Sequence, residues 1–209
     1  MPLPRVQPII PTRRKDPFDH ADWLFDVKYD GFRALCHLEP GRCRLISRNG
    51  KPLSRFASLG AELAYGLELE EAVLDGEVIV TDETGRPQFY ELLRRSGAPA
   101  YVAFDLLWLN GTDLRPLPLR ERRAALRSLL PEGSPRISEA VSVEGRGCEL
   151  FDLMCANDLE GIVAKRLADP YAPRTRWLKI KNRNYSQTEG RAGLFNRERG
   201  ASYEDDLSK

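Results

Sequence analysis

The 209-residue sequence predicts a mixed α+β domain built on antiparallel sheets. Three observations carry that expectation. Short apolar runs of strand length recur between turn residues, and only a few segments repeat apolar residues at helical spacing. At 42% hydrophobic and 30% charged, the chain also has the composition of a folded protein with a sizeable core. Length alone allows one or two domains.

Residues 1–19 contain Pro2, Pro4, Pro8 and Pro11 and the basic cluster Arg13-Arg14-Lys15, which predicts an arm without a packed element. Segments 23–29, 33–38 and 43–47 are apolar-biased strands, separated by the turn signals Asp30-Gly31 and Pro40-Gly41. Phe56, Leu59, Leu63 and Leu67 recur at helical spacing and predict a helix over 55–69. A strand follows at 72–80, a hairpin loop from Asp82 to Pro87, and an apolar strand at 101–109 interrupted only by Asp105. Segment 119–130 predicts an amphipathic helix with its four arginines on polar positions, ended by Pro131. A helix at 145–156 and strands at 160–166 and 175–181 complete a body spanning 20–183. The polar stretch 184–209 has no periodicity and is expected as a tail, with both ends mobile.

Several function classes drop out. The longest hydrophobic run, Ala100 to Phe104, has five residues, whereas a membrane helix needs about 20. The prolines near the start break up any signal-peptide segment, so a cytoplasmic protein is expected. Cys36 and Cys43, like Cys148 and Cys155, stand seven apart, without the tight spacing of a zinc site; four free, mostly buried thiols are expected. The net charge of +1 argues against nucleic acid only as an average. Residues 61–91 hold nine acids and one base, while residues 171–200 hold eight bases and two acids.

Lysine is used sparingly: 25 of the 32 basic residues are arginine. Arginine supplies charge but does not lose a proton to become a nucleophile. Lys28 nevertheless sits in a strand-turn context, opening Lys28-Tyr29-Asp30-Gly31-Phe32-Arg33. Downstream come Ser47-Arg48-Asn49-Gly50, Asp75-Gly76-Glu77, Phe104-Asp105, Glu160-Gly161-Ile162-Val163-Ala164-Lys165 and Trp177-Leu178-Lys179-Ile180-Lys181. Each fragment is weak alone. Taken singly, Lys179 and Lys181 suit a solvated strand face, Glu77 a surface hairpin, and Phe104 and Val163 a core.

In this order the fragments resemble the nucleotidyltransferase domain of ATP-dependent DNA ligases, particularly bacterial end-joining ligases, over roughly residues 20 to 183. The resemblance implies two antiparallel sheets flanked by helices in an ATP-grasp-like arrangement. It also implies ATP as substrate and Mg²⁺ (or Mn²⁺) as metal, with Lys28 attacking the α-phosphate to form lysyl–AMP. A free lysine has a pKa of about 10.4, so neutralising it at pH 7 costs roughly 4–5 kcal/mol; Lys179 and Lys181 are expected to lower that cost and to bind the α-phosphate. By the same resemblance Glu77 and Arg33 contact the ribose, Asp26 the adenine amino group, and Phe104 and Val163 the two faces of the base. Glu160 holds the metal, Arg48 binds the 5′-phosphate of the nick, and Asp30 serves the later strand-joining chemistry; Lys165 matches the pattern without a role. Nicked or broken duplex DNA is the implied partner. An RNA ligase or capping-type nucleotidyltransferase, and a non-catalytic nucleic-acid-binding module, stay open as alternatives. Ligases of this type append an OB-fold after the last lysine motif. Only 28 residues follow Lys181, so no OB-fold is expected, and another repair protein is expected to supply its function.

Overall fold

Alternation along the strands builds the architecture. The structure, a computed structural model, describes residues 3–67 and 69–188. The start of the expected tail is packed, with Tyr185 and Gln187 buried and a short 3₁₀ turn at Ser186–Thr188, and the rest lies outside the described residues.

In chain order the strands are β1 (Thr12–Arg13), β2 (His20–Val27), β3 (Phe32–Glu39), β4 (Arg42–Ser47), β5 (Ala72–Ile79), β6 (Ala100–Leu109), β7 (Thr112–Asp113), β8 (Ile137–Glu139), β9 (Ser142–Gly145), β10 (Gly161–Arg166) and β11 (Leu178–Lys181). The helices are α1 (Ala57–Gly66), α2 (Phe89–Arg94), α3 (Leu119–Leu129) and α4 (Gly147–Ala156). A first sheet has the order β1-β11-β10-β2-β9, and a second runs β4-β3-β5-β6-β7, with β8 alongside β6. Most pairings are antiparallel as expected, but β1·β11 and β6·β8 are parallel, so both sheets are mixed.

The second sheet is buried on both faces. Ala34, Cys36 and Leu38 of β3, with Leu74 and Val78 of β5, pack under Leu59 and Leu63 of α1, Leu92 of α2 and Leu126 of α3. The intervening Leu35 and Val73 point the other way, into a cluster with Leu107, Tyr171 and Trp177. In the first sheet Phe25, Val27, Ile162, Ala164 and Ile180 pack on Leu150 and Met154 of α4. Their alternates, Asp26, Val163, Lys165 and Lys179, line the space between the sheets. Each fully buried leucine here is worth about 1.5–3 kcal/mol relative to exposure.

Four expectations change. The N-terminal stretch is no free arm: Ile9 is buried, Leu3 and Val6 pack beside it, and Thr12 and Arg13 pair with Leu178 and Lys179. Two arginines of α3 leave its polar face. Arg122 is 1% exposed and grips Asp105 bidentately (2.7 and 2.8 Å), which explains the acid inside an apolar strand. Arg123 donates to the carbonyls of Phe104 and Ala140 and meets Glu139 at 2.9 Å. Strand 175–181 shortens to β11, α4 is preceded by β9, and α2, β7 and β8 were not anticipated. The cysteines are free, but only Cys36 is buried and Cys155 is exposed. Among the described residues, no helix is long and apolar enough to cross a membrane.

Candidate active site

Between the sheets lies a cleft of about 470 Å³, and it gathers side chains from both. Lys28 stands just beyond β2, where its backbone N–H donates to the carbonyl of Gly161 (2.9 Å). Two glycines make that geometry possible. A Cβ on Gly31 would lie 2.1 Å from the carbonyl oxygen of Val78, so only glycine lets this turn press against β5. Gly161, with φ +130°, would place a Cβ 2.1 Å from the carbonyl oxygen of Ile180.

The charge centre is Glu160, only 4% exposed. Lys28 Nζ meets its Oε2 at 2.6 Å and Lys181 Nζ its Oε1 at 2.8 Å. The group directly facing Lys28 is therefore a carboxylate, and the predicted cationic neighbours stand around that pair. Burial lowers the pKa of Lys179, and the charges of Lys181, Lys28 and Arg48 lower it further, against the pull of Glu160. Lys179 thus stands within electrostatic reach of Lys28, Lys181 and Arg48. Arg48 is exposed at the rim, in the turn after β4. Pairing of β1 with β11 sets Arg13 opposite Lys179, and the exposed Arg14 and Lys15 follow it in the chain.

Glu77 is half-buried on β5 and lines the cleft. Burial pushes its carboxyl up to about 7, although Lys28 and Arg33 pull down. Phe104 of β6 and Val163 of β10 reach the cleft from opposite sheets, as two walls of a slot for a flat ring would. Asp30 is 4% exposed and accepts from the Tyr185 hydroxyl at 2.9 Å.

Two predicted contacts acquire other partners. Arg33 lines the cleft, but its Nε and Nη2 hold Asp75 at 3.0 and 2.6 Å, and Nη1 donates to the Ile9 carbonyl at 2.6 Å. Its guanidinium lies 5.3 Å from the Phe104 ring centre and 5.4 Å from that of Trp177. Arg33 is therefore a strut behind the aromatic wall. Asp26 is 2% exposed and pairs with Lys165 at 2.5 Å and Arg123 at 3.5 Å, so its charge is balanced inside the protein.

Lys165, unassigned from sequence, is 1% exposed, with Nζ 4.4 Å from the Phe104 ring centre and 4.1 Å from that of Trp177. Burial lowers its pKa while Asp26 raises it. Trp177 and Ile10, which line the cleft, were also missed, as were Tyr171, Arg123 and Tyr185, which contact Asp75, Asp26 and Asp30 from outside it. Trp177 stood beside the lysine motif and Tyr185 just past it, but neither has a spacing that marks it.

Among the described residues, no group of three His, Cys, Asp or Glu side chains could hold a metal ion alone. Glu160 offers one carboxylate beside a phosphate-type cluster of cations, which fits a magnesium ion arriving with nucleotide phosphates.

Comparison with known proteins gives a consistent result. Residues 12–181 match the family model described as ATP dependent DNA ligase domain. The chain is 38% identical over 172 residues to the multifunctional non-homologous end joining protein LigD of Pseudomonas aeruginosa, covering 77% of this chain and 20% of that protein. It is 30% identical to the SPbeta prophage-derived DNA ligase-like protein LigB of Bacillus subtilis, covering 87% of this chain and 69% of that one. The solved mycobacterial DNA ligase D complexed with ATP and MES superposes with a TM-score of 0.71 at 29% identity, covering 84% of this chain and 60% of that structure. The chain spans a fifth of the length of the Pseudomonas LigD relative.

Proposed function

The chain belongs to the ATP-dependent DNA ligase domain family, and from that premise we propose that it attaches AMP to Lys28 and passes it to the 5′-phosphate of a nick in duplex DNA. The observation that carries this reading is the placement of Lys28 Nζ, 2.6 Å from Glu160 Oε2, beside a cleft lined by Lys179, Phe104 and Val163, with Lys181 on the other oxygen of Glu160.

Lys28 leaves its ion pair with Glu160 and gives up a proton to water, and the lone pair of the neutral amine then attacks the α-phosphorus of ATP. The bond to pyrophosphate breaks, and a phosphoramidate joins Nζ to AMP. Lys179 and Lys181 meet the negative charge that gathers on the phosphate oxygens. Phe104 and Val163 hold the base, Glu77 accepts from the ribose hydroxyls, and Arg33 braces Phe104 and Trp177 from behind. Glu160, together with the nucleotide phosphates, would hold a magnesium ion, which when bound neutralises phosphate charge.

In the second step an oxygen of the DNA 5′-phosphate displaces Lys28 from the AMP phosphorus. The adjacent 3′-hydroxyl then displaces AMP and closes the strand, with Asp30 serving these later steps. The exposed Arg48 at the cleft and the exposed Arg13, Arg14 and Lys15 in and after β1 suit the backbone of a duplex, so binding falls as salt rises. The end-joining name of the Pseudomonas relative supports broken DNA as the substrate.

Incubation with α-labelled ATP and a magnesium salt, followed by denaturation, tests the reading. A label that survives denaturation, is absent with GTP and is lost in Lys28→Ala is the expected result. Failure of the native protein to take label from either nucleotide would overturn the assignment. If a label forms, nicked DNA is sealed in preference to nicked RNA.

A further inference from the structure

Beyond β11 the chain is tied back across the site by a series of directed contacts. The backbone N–H of Asn182 donates to the Glu160 carbonyl (3.0 Å) and its side-chain amide to the Leu159 carbonyl (3.1 Å). Ser186 donates to Asp158 from both backbone N–H (2.8 Å) and Oγ (2.5 Å). Gln187 accepts from the Phe89 N–H at 2.9 Å and donates to the Pro87 carbonyl at 2.9 Å. These contacts turn residues 182–187 into a strap that runs from the first sheet to the loop before α2 on the second. Midway along it, Tyr185 is 4% exposed and its hydroxyl donates to Asp30 Oδ2 at 2.9 Å.

Asp30 lies two residues past Lys28, on the turn that enters β3 and lines the cleft. The neutral phenol fixes the direction of the Asp30 carboxylate through a hydrogen bond and adds no charge of its own. Burial, reinforced by Glu160 and Asp158, raises the pKa of Tyr185, so the donor keeps its proton at neutral pH.

We propose that Tyr185 is a positioning residue for Asp30, held in place by the 182–187 strap, and that it serves the transfer and sealing steps after Lys28 has been adenylated. The assignment rests on the ligase reading above. Glu160 is the group that meets Lys28, so a change confined to Tyr185 leaves nucleotide attack largely intact and shifts only the orientation of the Asp30 carboxylate.

The test uses the full chain in two assays: the rate of lysyl–AMP formation, and sealing of a nicked duplex supplied already adenylated at its 5′-phosphate. Tyr185→Phe keeps the ring and is expected to form the adduct within about twofold of the native rate while slowing sealing about tenfold, the effect of one lost hydrogen bond to a charged group. The KM for the nick stays unchanged, and Asp30→Ala combined with Tyr185→Phe is no slower than Asp30→Ala alone. Gln187→Ala, which loosens the strap without touching Asp30, is expected to slow sealing in the same direction, and it carries the test if Tyr185→Phe fails to fold. Effects that multiply in the double variant, equal slowing of both steps, or undiminished sealing by Tyr185→Phe would each overturn the positioning role. A native chain that neither takes label nor seals the adenylated nick overturns the ligase reading and this assignment with it.

Discussion

Replacing Glu77 by glutamine removes one ionisation from the cleft while keeping the shape of the side chain. In the folded protein burial raises the Glu77 carboxyl from 4.5 to about 7, reinforced by Glu160 and Asp75 and opposed by Lys28 and Arg33. A gap of that size corresponds to about 3 kcal/mol, and screening by water at its half-open face reduces this to about 2 kcal/mol. The sign follows from which state holds the proton more tightly. Because the folded value is the higher one, the stabilisation from this group is complete below about 4.5 and is lost as pH rises through about 7. Urea unfolding of the native protein and Glu77→Gln at pH 5, 6, 7 and 8 isolates the contribution, because every other titrating group is common to both. The native protein is expected to lose about 2 kcal/mol relative to the variant over that range. Parallel pH profiles for the two proteins, or a relative gain by the native protein at high pH, would refute the reasoning.

Asp75→Ala leaves the Arg33 guanidinium and the Tyr171 hydroxyl, which Asp75 holds at 2.6 and 2.7 Å, without their carboxylate. Breaking a buried pair on one side lowers stability by about 3–5 kcal/mol, read as the shift in urea midpoint; a loss under about 1 kcal/mol would contradict the role of Arg33 as a buried strut. Phe104→Ala is expected to weaken ATP binding about 10- to 100-fold in a calorimetric titration while the far-ultraviolet spectrum and melting transition persist, since one base stack is worth about 1–3 kcal/mol. Unchanged affinity, or loss of the cooperative transition, would show that the ring serves the core and not the nucleotide.

The parts legible in the sequence were those whose signal is local. Lys28, Glu160, Lys179 and Lys181 sit in short fragments with turn glycines or alternating strand residues, and the fold converts that alternation directly into one face. In β10 and β11 the even-numbered Ile162, Ala164 and Ile180 go to α4, and the odd-numbered Val163, Lys165 and Lys179 go to the cleft. The α3 arginines show where the same logic fails. A helical wheel puts Arg122 and Arg123 outside because isolated arginine prefers water, yet Asp105 on β6 supplies Arg122 with a bidentate partner, and Glu139 and Asp26 meet Arg123, which no helix-local pattern reveals.

By itself the sequence determined the class of the chemistry: a lysine in a glycine turn, acids and lysines in strand-bound motifs, and the strands and helices that carry most of them. Tertiary structure decided which partner each charge meets. Lys28 faces Glu160 across 132 residues of chain, Thr12 donates to the Trp177 carbonyl across 165, and Tyr185 reaches Asp30 across 155. Such pairings depend on how the two sheets close over one another. A two-residue strand or a single phenol carries no periodicity of its own, so its role exists only once distant elements are packed together.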